Sequence, residues 1–148
     1  MKIIIRLGII IVLLCLFVIP VQAQSEERAY EQGSVWTISY IETKPGHFDD
    51  YLEDLSNVWK KYLDENLKDG KVLSYKILSV SSPRDDEPDL ILMIEQKDWA
   101  VFDTPDEYWD EVAKKVQGSL DKAQQAGIKR EELRTLRGSQ TAVELLFK

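Results

Sequence analysis

The spacing of apolar residues changes abruptly near residue 45, and this change restricts the fold more than any other feature of the chain. In the segment SVWTISYIE, residues 34–42, side chains alternate between two faces, which together with β-branched and aromatic residues predicts a strand. From residue 48 to residue 67, apolar residues recur every three or four positions, which predicts an amphipathic helix. The strand carries Trp36, Ile38 and Tyr40 on one face and Val35, Thr37, Ser39 and Ile41 on the other.

Strand patterns recur three more times. Residues 71–80 and 90–97 have strand composition on either side of the polar loop 81–89, and together they predict a β-hairpin. Residues 141–147 predict a last strand close to the C-terminus. The segment KREELRTLR, residues 129–137, precedes that strand and predicts a short helix or a turn.

A second helical region lies between the hairpin and the last strand. Thr104, Pro105 and Glu107 form a helix-start pattern, in which Thr104 caps the helix and Glu107 completes a capping box. Apolar residues at helical spacing continue almost to Gly127, which predicts the end of the region. Gly118 weakens the middle and allows for two shorter helices.

The predicted order of elements is β-α-β-β-α-β, with a short extra helix before the last strand. This order is typical of the ferredoxin-like fold. An α+β domain of that kind has a four-stranded antiparallel sheet with both helices on one face. We expect the helices to cover the aromatic face of the first strand, which holds Trp36 and Tyr40, and the half-polar face with Thr37 and Ser39 to be left for a second copy.

The N-terminus has the features of an export signal. Lys2 and Arg6 are followed by the apolar residues 7–19, and Val21-Gln22-Ala23 fits the small-x-small cleavage pattern. The sequence therefore predicts a signal peptide over residues 1–23, a short tether over 24–33 and a single domain over 34–148, exported to the periplasm or secreted. The alternative is a retained membrane anchor, but a helix over residues 7–19 reaches only about 20 Å, short of a hydrocarbon core of about 30 Å.

Composition excludes several classes of function. The single cysteine, Cys15, lies in the predicted signal, so the mature domain has neither disulfides nor thiol chemistry. Loss of Lys2 and Arg6 removes two of 19 basic residues and none of 26 acidic residues, so the formal net charge changes from −7 to −9. We expect no nucleic-acid partner and no membrane association after cleavage, because both surfaces are themselves anionic.

Two segments resemble a known superfamily. The segments are KPGHFDDYLEDL, residues 44–55, and MIEQKDWAVFDTPDEYWDEV, residues 93–112. They resemble the dimeric α/β-barrel superfamily, which includes antibiotic-biosynthesis-type monooxygenases, haem-degrading monooxygenases and many uncharacterised domains, and the likeness covers most of residues 35–147. The resemblance implies a homodimer whose two sheets face each other, with a cavity between sheet and helices in each subunit.

The resemblance does not supply a cofactor. Haem-degrading members carry a histidine ligand on the second long helix, where this chain has Tyr108 and Trp109. The only histidine, His47, lies at the first helix instead. Cofactor-free monooxygenases of this superfamily use aromatic and amide side chains to bind an activated substrate. We therefore predict that the domain has no cofactor.

Aromatic residues are the main candidates for a ligand site. The candidates are Trp36, Tyr40, Tyr75 and Trp99, with Asn57 as a suitable amide. Trp36 and Tyr40 share a strand face and could sandwich a flat apolar ligand, although core packing is the alternative for each. His47 is a further candidate, with Asp49 or Asp50 as its partner, but its place in the first helical turn favours an exposed architectural role.

Charged clusters give weaker candidates. The loop RDDEPD, residues 84–89, lacks the spacing and the central glycine of an EF-hand, and the chain has no Cys/His cluster, so no metal site is predicted. Arg130, Arg134 and Arg137 could receive an anionic ligand. They alternate with two glutamates, however, and this pattern favours a charged surface helix.

Three functions are consistent with these residues. The first is an exported domain that binds an apolar small molecule or a partner in a sheet–helix cavity. The second is a cofactor-independent monooxygenase, in which Trp36, Tyr40 and Tyr75 hold an aromatic substrate. The third is a structural or interaction protein of the cell envelope, which a filled core would favour. The residues leave open whether the chain is an enzyme.

Overall fold

The computed structural model describes residues 28–148. The predicted signal peptide and the first residues of the predicted tether lie outside this range. Four strands form one antiparallel sheet of order β2-β3-β1-β4. The strands are β1 (Tyr30–Thr43), β2 (Ser74–Ser79), β3 (Leu90–Gln96) and β4 (Arg134–Phe147).

Helical segments occupy both crossovers. The first crossover runs through α1 (Phe48–Asp54), a π-helical segment (Leu55–Trp59) and α2 (Lys60–Lys68), without a break between them. The second contains a 3₁₀ helix (Trp99–Asp103), α3 (Asp106–Gln117) and α4 (Leu120–Arg130). The β-α-β-β-α-β order, the strand order and the helices on one face confirm the predicted ferredoxin-like α+β fold.

The predicted tether and last strand have different bounds in the structure. β1 begins at Tyr30, so residues 30–32 of the expected tether pair with the end of β4. β4 begins at Arg134, seven positions before the predicted start. The segment 129–137, predicted as a short helix or a turn, contains the end of α4, a turn at residues 131–133 and the start of β4. The polar composition of residues 137–141 conceals the strand, because one side of it has little cover from the rest of the domain.

Two helix boundaries also differ from the prediction. Thr104 does not cap α3: Pro105 holds the N-cap position without a side-chain hydrogen bond, and the hydroxyl of Thr104 accepts from Lys71 Nζ at 3.0 Å. Gly127 does not end the helical region, since α4 continues to Arg130. Of the two alternatives left open at Gly118, the structure has two shorter helices, because this glycine ends α3 with φ of +87°.

The two faces of β1 are reversed relative to the prediction. Val35 and Ile41 are each only 1% exposed and lie under the helices, whereas Trp36 and Tyr40 lie on the face without helices. We call these the helix face and the open face. Strand alternation defines which residues share a face but not which face is covered. Here the aliphatic residues Val35 and Ile41 of β1 pack into the core, and the aromatic face is open.

The core lies between the helix face of β1 and β3 and the first helix. Its buried cluster consists of Ile41, Tyr51, Leu55, Leu90 and Leu92. Full burial of an aliphatic or aromatic side chain of this size stabilises a fold by about 1.5–3 kcal/mol relative to exposure. This cluster therefore fixes α1 and the π-helical segment over the middle of the sheet. None of the described helices combines the length and apolarity that crossing a bilayer requires.

Candidate functional site

A cavity of about 160 Å³ lies between the sheet and the first helix. We call it the helix-face cavity. Its wall is mainly apolar on both the strand side and the helix side, and it also includes two guanidinium groups. The lining residues are Ser39, Ile41, Tyr51, Leu55, Trp59, Leu92, Arg130, Arg134 and Leu136.

Small side chains on the sheet leave the space open. Ser39 of β1 lies opposite Leu92 on one side and Ser139 on the other, and its hydroxyl is 3.2 Å from that of Ser139. A larger residue at position 39 would point into the cavity, because side chains on one strand face project towards the layer that covers it. These two small side chains therefore leave space unfilled between the sheet and the helix.

The π-helical segment forms the roof. Leu55 begins this segment and Trp59 ends it, and both side chains line the cavity. Tyr75 of β2 contacts the Trp59 ring edge-on, with ring centroids 5.3 Å apart, and donates a hydrogen bond to Asp64 Oδ1 at 3.3 Å. Tyr75 therefore helps to orient Trp59, although it does not itself line the cavity. Single π-helical turns are rare and recur at functional sites.

Arg134 is the unusual polar residue of the wall. It is the first residue of β4, its side chain is 14% exposed, and its guanidinium lies 5.9 Å from the ring of Tyr51. Nη2 donates to Glu131 Oε1 at 3.0 Å. Nε and Nη1 are buried and have no hydrogen-bond partner among residues 28–148. Buried donors almost always have partners, so these two atoms require an explanation.

Arg130 is satisfied by a neighbouring carboxylate. Its Nε donates to Asp54 Oδ2 at 2.5 Å and its Nη2 approaches Oδ1 at 3.4 Å, with both side chains about four-fifths buried. Arg130 also lines a groove of about 450 Å³ between α1 and α4. We call this the α1–α4 groove. It is the larger space, but Asp50, Glu53 and Asp54 line it, and such a wall suits solvent better than an apolar ligand.

Tyr51 remains an uncharged phenol at neutral pH. Burial raises the pKa of Tyr51 to about 12, and the positive charges of Arg134 and Arg130 offset only part of that rise. The wall of the helix-face cavity therefore combines apolar carbon, a neutral phenol and an incompletely paired guanidinium. This combination suits a small molecule with an apolar body.

The predicted site residues do not come together. Trp36 and Tyr40 lie on the open face, where Lys76 Nζ sits 5.1 Å from the centre of the Trp36 ring. Tyr75 lies on the opposite face against Trp59. The expectation that Trp36, Tyr40 and Tyr75 share one sheet–helix cavity is wrong. Tyr75 is in register with Ile94 and Thr37, which project from the other side of the sheet.

The other predicted residues lie outside the helix-face cavity. Trp99 belongs to the 3₁₀ helix, is 51% exposed and contacts Phe102 with centroids 5.8 Å apart. His47 precedes α1, and its Nδ1 lies 2.9 Å from Asp50 Oδ2 in a solvent-exposed pair. Asn57 lines the α1–α4 groove. Within residues 28–148, no group of three or more acidic, histidine or cysteine side chains is placed to hold a metal ion.

Sequence reasoning missed the residues that do line the cavity. Trp59 and Tyr51 lie within the predicted helix over residues 48–67, whose apolar spacing does not reveal a cavity. Arg130 and Arg134 were assigned to a charged surface helix. The arginines are instead separated: Arg130 ends α4, and Arg134 begins β4 opposite Thr43. Arg134, Thr135 and Leu136 alternate between two faces, and this alternation is the signal that could have placed Arg134 on a strand.

No protein-family model and no curated protein sequence matches the chain. A solved structure from Shewanella oneidensis is similar, with 16% identity and a TM-score of 0.48, over 79% of this chain and 96% of that one. Another, described as a dimeric ferredoxin-like protein from an uncultured marine organism, has 12% identity and a TM-score of 0.49, over 80% of this chain and 90% of that one. Both likenesses are weak, and the functional conclusion depends on the cavity.

Proposed function

We propose that the chain is an exported, homodimeric domain that binds a small, largely apolar molecule in the helix-face cavity. The observation that carries this proposal is the cavity itself, about 160 Å³ of space between the sheet and the first helix, with a side open to the surface. Protein interiors are normally close-packed, and an apolar cavity of about 150 Å³ is large enough to take up benzene. A ligand of one aromatic ring fits these dimensions.

The same observation separates this proposal from the alternatives. A purely structural domain needs no such space beneath its central helix. A monooxygenase that uses Trp36, Tyr40 and Tyr75 together is not supported, because these side chains lie on opposite faces of the sheet. Binding without chemistry is therefore the function that the described residues support best.

The proposed dimer uses the open face of the sheet. No helix within residues 28–148 covers this face, and it presents apolar side chains from all four strands, which favours burial against another surface. A second copy offers the same surface in a two-fold arrangement, in which each patch is its own complement. The apolar residues of the face are Trp36, Ile38, Tyr40, Leu78, Ile91, Met93 and Ala142.

Ligand-observed NMR tests binding. The mature domain is mixed with toluene, benzamide and benzoate, and saturation transfer is recorded for each. We expect binding, and we expect Leu136→Trp to abolish it by filling the cavity. Leu145→Trp is the matched control, since Leu136 and Leu145 lie on the same strand and are 48% and 49% exposed. Absence of transfer for all three probes, or equal transfer in both variants, would contradict the proposal.

Native mass spectrometry tests the dimer. We expect a dimer for the mature domain and a monomer for Ile38→Glu, because a buried unpaired carboxylate on the open face opposes association. Ile128→Glu is the control, because Ile128 is 65% exposed on α4 and lies away from the sheet face. A monomeric wild type, or no effect of Ile38→Glu, is evidence against the open-face interface.

Export is tested on protein taken from the cell envelope. The signal pattern predicts that the mature chain begins at Gln24. Intact-mass measurement of the full-length product should show the loss of residues 1–23. An uncleaved mass in the membrane fraction indicates a retained anchor instead.

A further inference from the structure

The hydroxyl of Tyr51 is an unused hydrogen-bonding group in the wall of the helix-face cavity. Tyr51 is only 1% exposed, and its hydroxyl makes no hydrogen bond to any of residues 28–148. The same range contains two fully enclosed side-chain atoms without a partner, Nε and Nη1 of Arg134, and the Tyr51 oxygen is not one of them. This oxygen therefore keeps accessible surface. Because Tyr51 lines the helix-face cavity and not the α1–α4 groove, that surface faces the helix-face cavity.

Tyr51 is the hydroxyl of this wall that still has a hydrogen to donate. The other hydroxyl, on Ser39, lies 3.2 Å from that of Ser139, and Ser139 donates its own hydrogen to the carbonyl oxygen of Ile38 at 3.1 Å. Ser39 therefore donates to Ser139 and has no second hydrogen for a ligand. Burial raises the pKa of Tyr51 to about 12, so its hydroxyl stays protonated at neutral pH. A buried hydroxyl without a partner is costly, and a ligand that accepts from it removes this cost.

The charges around the cavity favour a neutral ligand. An anion would lose its hydration there, while the guanidinium of Arg130 is already paired with Asp54 and the unpartnered nitrogens of Arg134 are enclosed. A cation is repelled by the guanidinium of Arg134 in the same wall. Both arginines act on Tyr51, and their positive charge favours a ligand dipole whose negative end lies towards its hydroxyl. A carbonyl oxygen is such a negative end.

We infer that the helix-face cavity binds a small neutral carbonyl compound, with the carbonyl oxygen accepting a hydrogen bond from the hydroxyl of Tyr51. This inference depends on the proposed function, since it specifies the ligand of the same cavity. The apolar body of the ligand lies against Leu55, Trp59 and Leu92, which line the cavity together with Tyr51. The volume of about 160 Å³ limits that body to about one ring or a short branched chain.

Two probes of nearly the same shape test the inference. Acetophenone has a carbonyl oxygen where α-methylstyrene has a methylene group, and neither molecule is charged. Their affinities for the mature domain are measured by protein-observed NMR titration, in the wild type and in Tyr51→Phe. The substitution should weaken acetophenone by about fivefold or more, as expected for loss of a neutral hydrogen bond, and change α-methylstyrene by less than about twofold.

Tyr108→Phe is the matched control. Tyr108 belongs to α3 and does not line the helix-face cavity, and its hydroxyl lies 3.0 Å from both Asn66 Oδ1 and Asp69 Oδ2. Removal of this hydroxyl should leave the affinities for both probes unchanged. Tyr51→Phe keeps the aromatic ring near the guanidinium of Arg134, and thermal unfolding checks that each variant is folded.

A spectroscopic measurement on the wild type tests the hydrogen bond without any variant. Acetophenone labelled with ¹³C at the carbonyl gives one signal, and a hydrogen bond to the oxygen moves this signal to higher chemical shift. We expect the signal of the bound probe to lie at higher chemical shift than in an apolar solvent, and Tyr51→Phe to return it towards the apolar value. A signal of the bound probe at its apolar-solvent position in the wild type would overturn the inference.

The outcomes separate this inference from the proposed function. If both probes bind, Leu136→Trp blocks both, and Tyr51→Phe weakens neither or both equally, the cavity binds ligands but the assignment to Tyr51 is wrong. If neither probe binds and toluene also fails, the proposed function itself is wrong. If Tyr108→Phe weakens acetophenone as much as Tyr51→Phe does, the loss does not come from a contact in the cavity, and the role of Tyr51 is refuted.

Discussion

Replacement of Arg134 by methionine should stabilise the ligand-free domain. Met has an unbranched apolar side chain that can follow the same path as the arginine stem, so packing against Tyr51 is largely kept. The substitution removes two buried N–H-bearing atoms that have no acceptor among residues 28–148. The free energy of unfolding should therefore rise.

The magnitude follows from the contacts of Arg134. Each buried donor left unsatisfied costs about 1–3 kcal/mol. Methionine also loses the ion pair with the exposed Glu131, worth about 0–1 kcal/mol, and the cation–π contact with Tyr51, worth about 0.5–1 kcal/mol. The relief exceeds the losses, and we expect the free energy of unfolding to rise by about 1–3 kcal/mol.

Equilibrium unfolding in urea measures this change. The control is Arg137→Met, in which the arginine is fully engaged by Glu42 and Asp86, so the free energy of unfolding should fall by about 0–1 kcal/mol. The slope of the transition should match among the three proteins, which shows that the denatured state is unchanged. A loss of stability in Arg134→Met equal to or larger than that in Arg137→Met would refute the reasoning, because it would mean that Nε and Nη1 are satisfied.

Three further predictions concern the scaffold. Leu55→Ala should lower the free energy of unfolding by about 2–5 kcal/mol, measured by urea denaturation, because Leu55 is buried in the core cluster. Gly118→Ala should cost about 1–2 kcal/mol because φ is +87° there, whereas Gly127→Ala, inside α4 with open space around it, should gain up to about 1 kcal/mol in the same assay. Lys115 and Lys68 hold the pKa of Glu65 below its ordinary value of 4.5, so Glu65 stabilises the fold above that pH and loses this contribution as the pH falls through and below it. Thermal unfolding should accordingly show the largest difference between wild type and Glu65→Gln near neutral pH, and a difference that stays constant in acid would contradict this assignment.

The element order could be predicted from the sequence because each period of apolar residues is local. Period-two segments and a long helical stripe were enough to predict the β-α-β-β-α-β order. Gly118 was enough to suggest that the second helical region could consist of two helices, as it does. The start of β4 was missed since much of that strand is polar, and its partner, β1, is remote in sequence. Pairing with β1 stabilises this polar part of β4, although its local composition does not favour a strand.

The covered face of the sheet could not be predicted from the alternation in β1 alone. Both faces of that strand carry apolar residues, and the polar Thr37 and Ser39 made the other face look like the uncovered one. The structure buries Val35 and Ile41 instead, at the two ends of a face with small polar residues between them. Those small residues are what leaves room for the cavity.

The candidate site depends on contacts between distant segments. Arg134 was judged by its neighbours Glu131 and Glu132, which made it look like part of a solvated surface. In the fold its guanidinium lies near Tyr51, which is remote in sequence, and beneath a covering helix. Which charges are paired is decided by this tertiary placement, and a local charge pattern does not contain that information.

The central claim is that the two faces of one sheet have different tasks, with a small apolar ligand on the helix face and a second copy on the open face. Methyl-resolved NMR of the mature domain during a toluene titration tests it most directly. The account predicts that the methyl signals of Ile41, Leu55 and Leu92 shift with added toluene, while those of Ile38 and Ile91 do not. Shifts confined to Ile38 and Ile91, with Ile41, Leu55 and Leu92 unchanged, would contradict it.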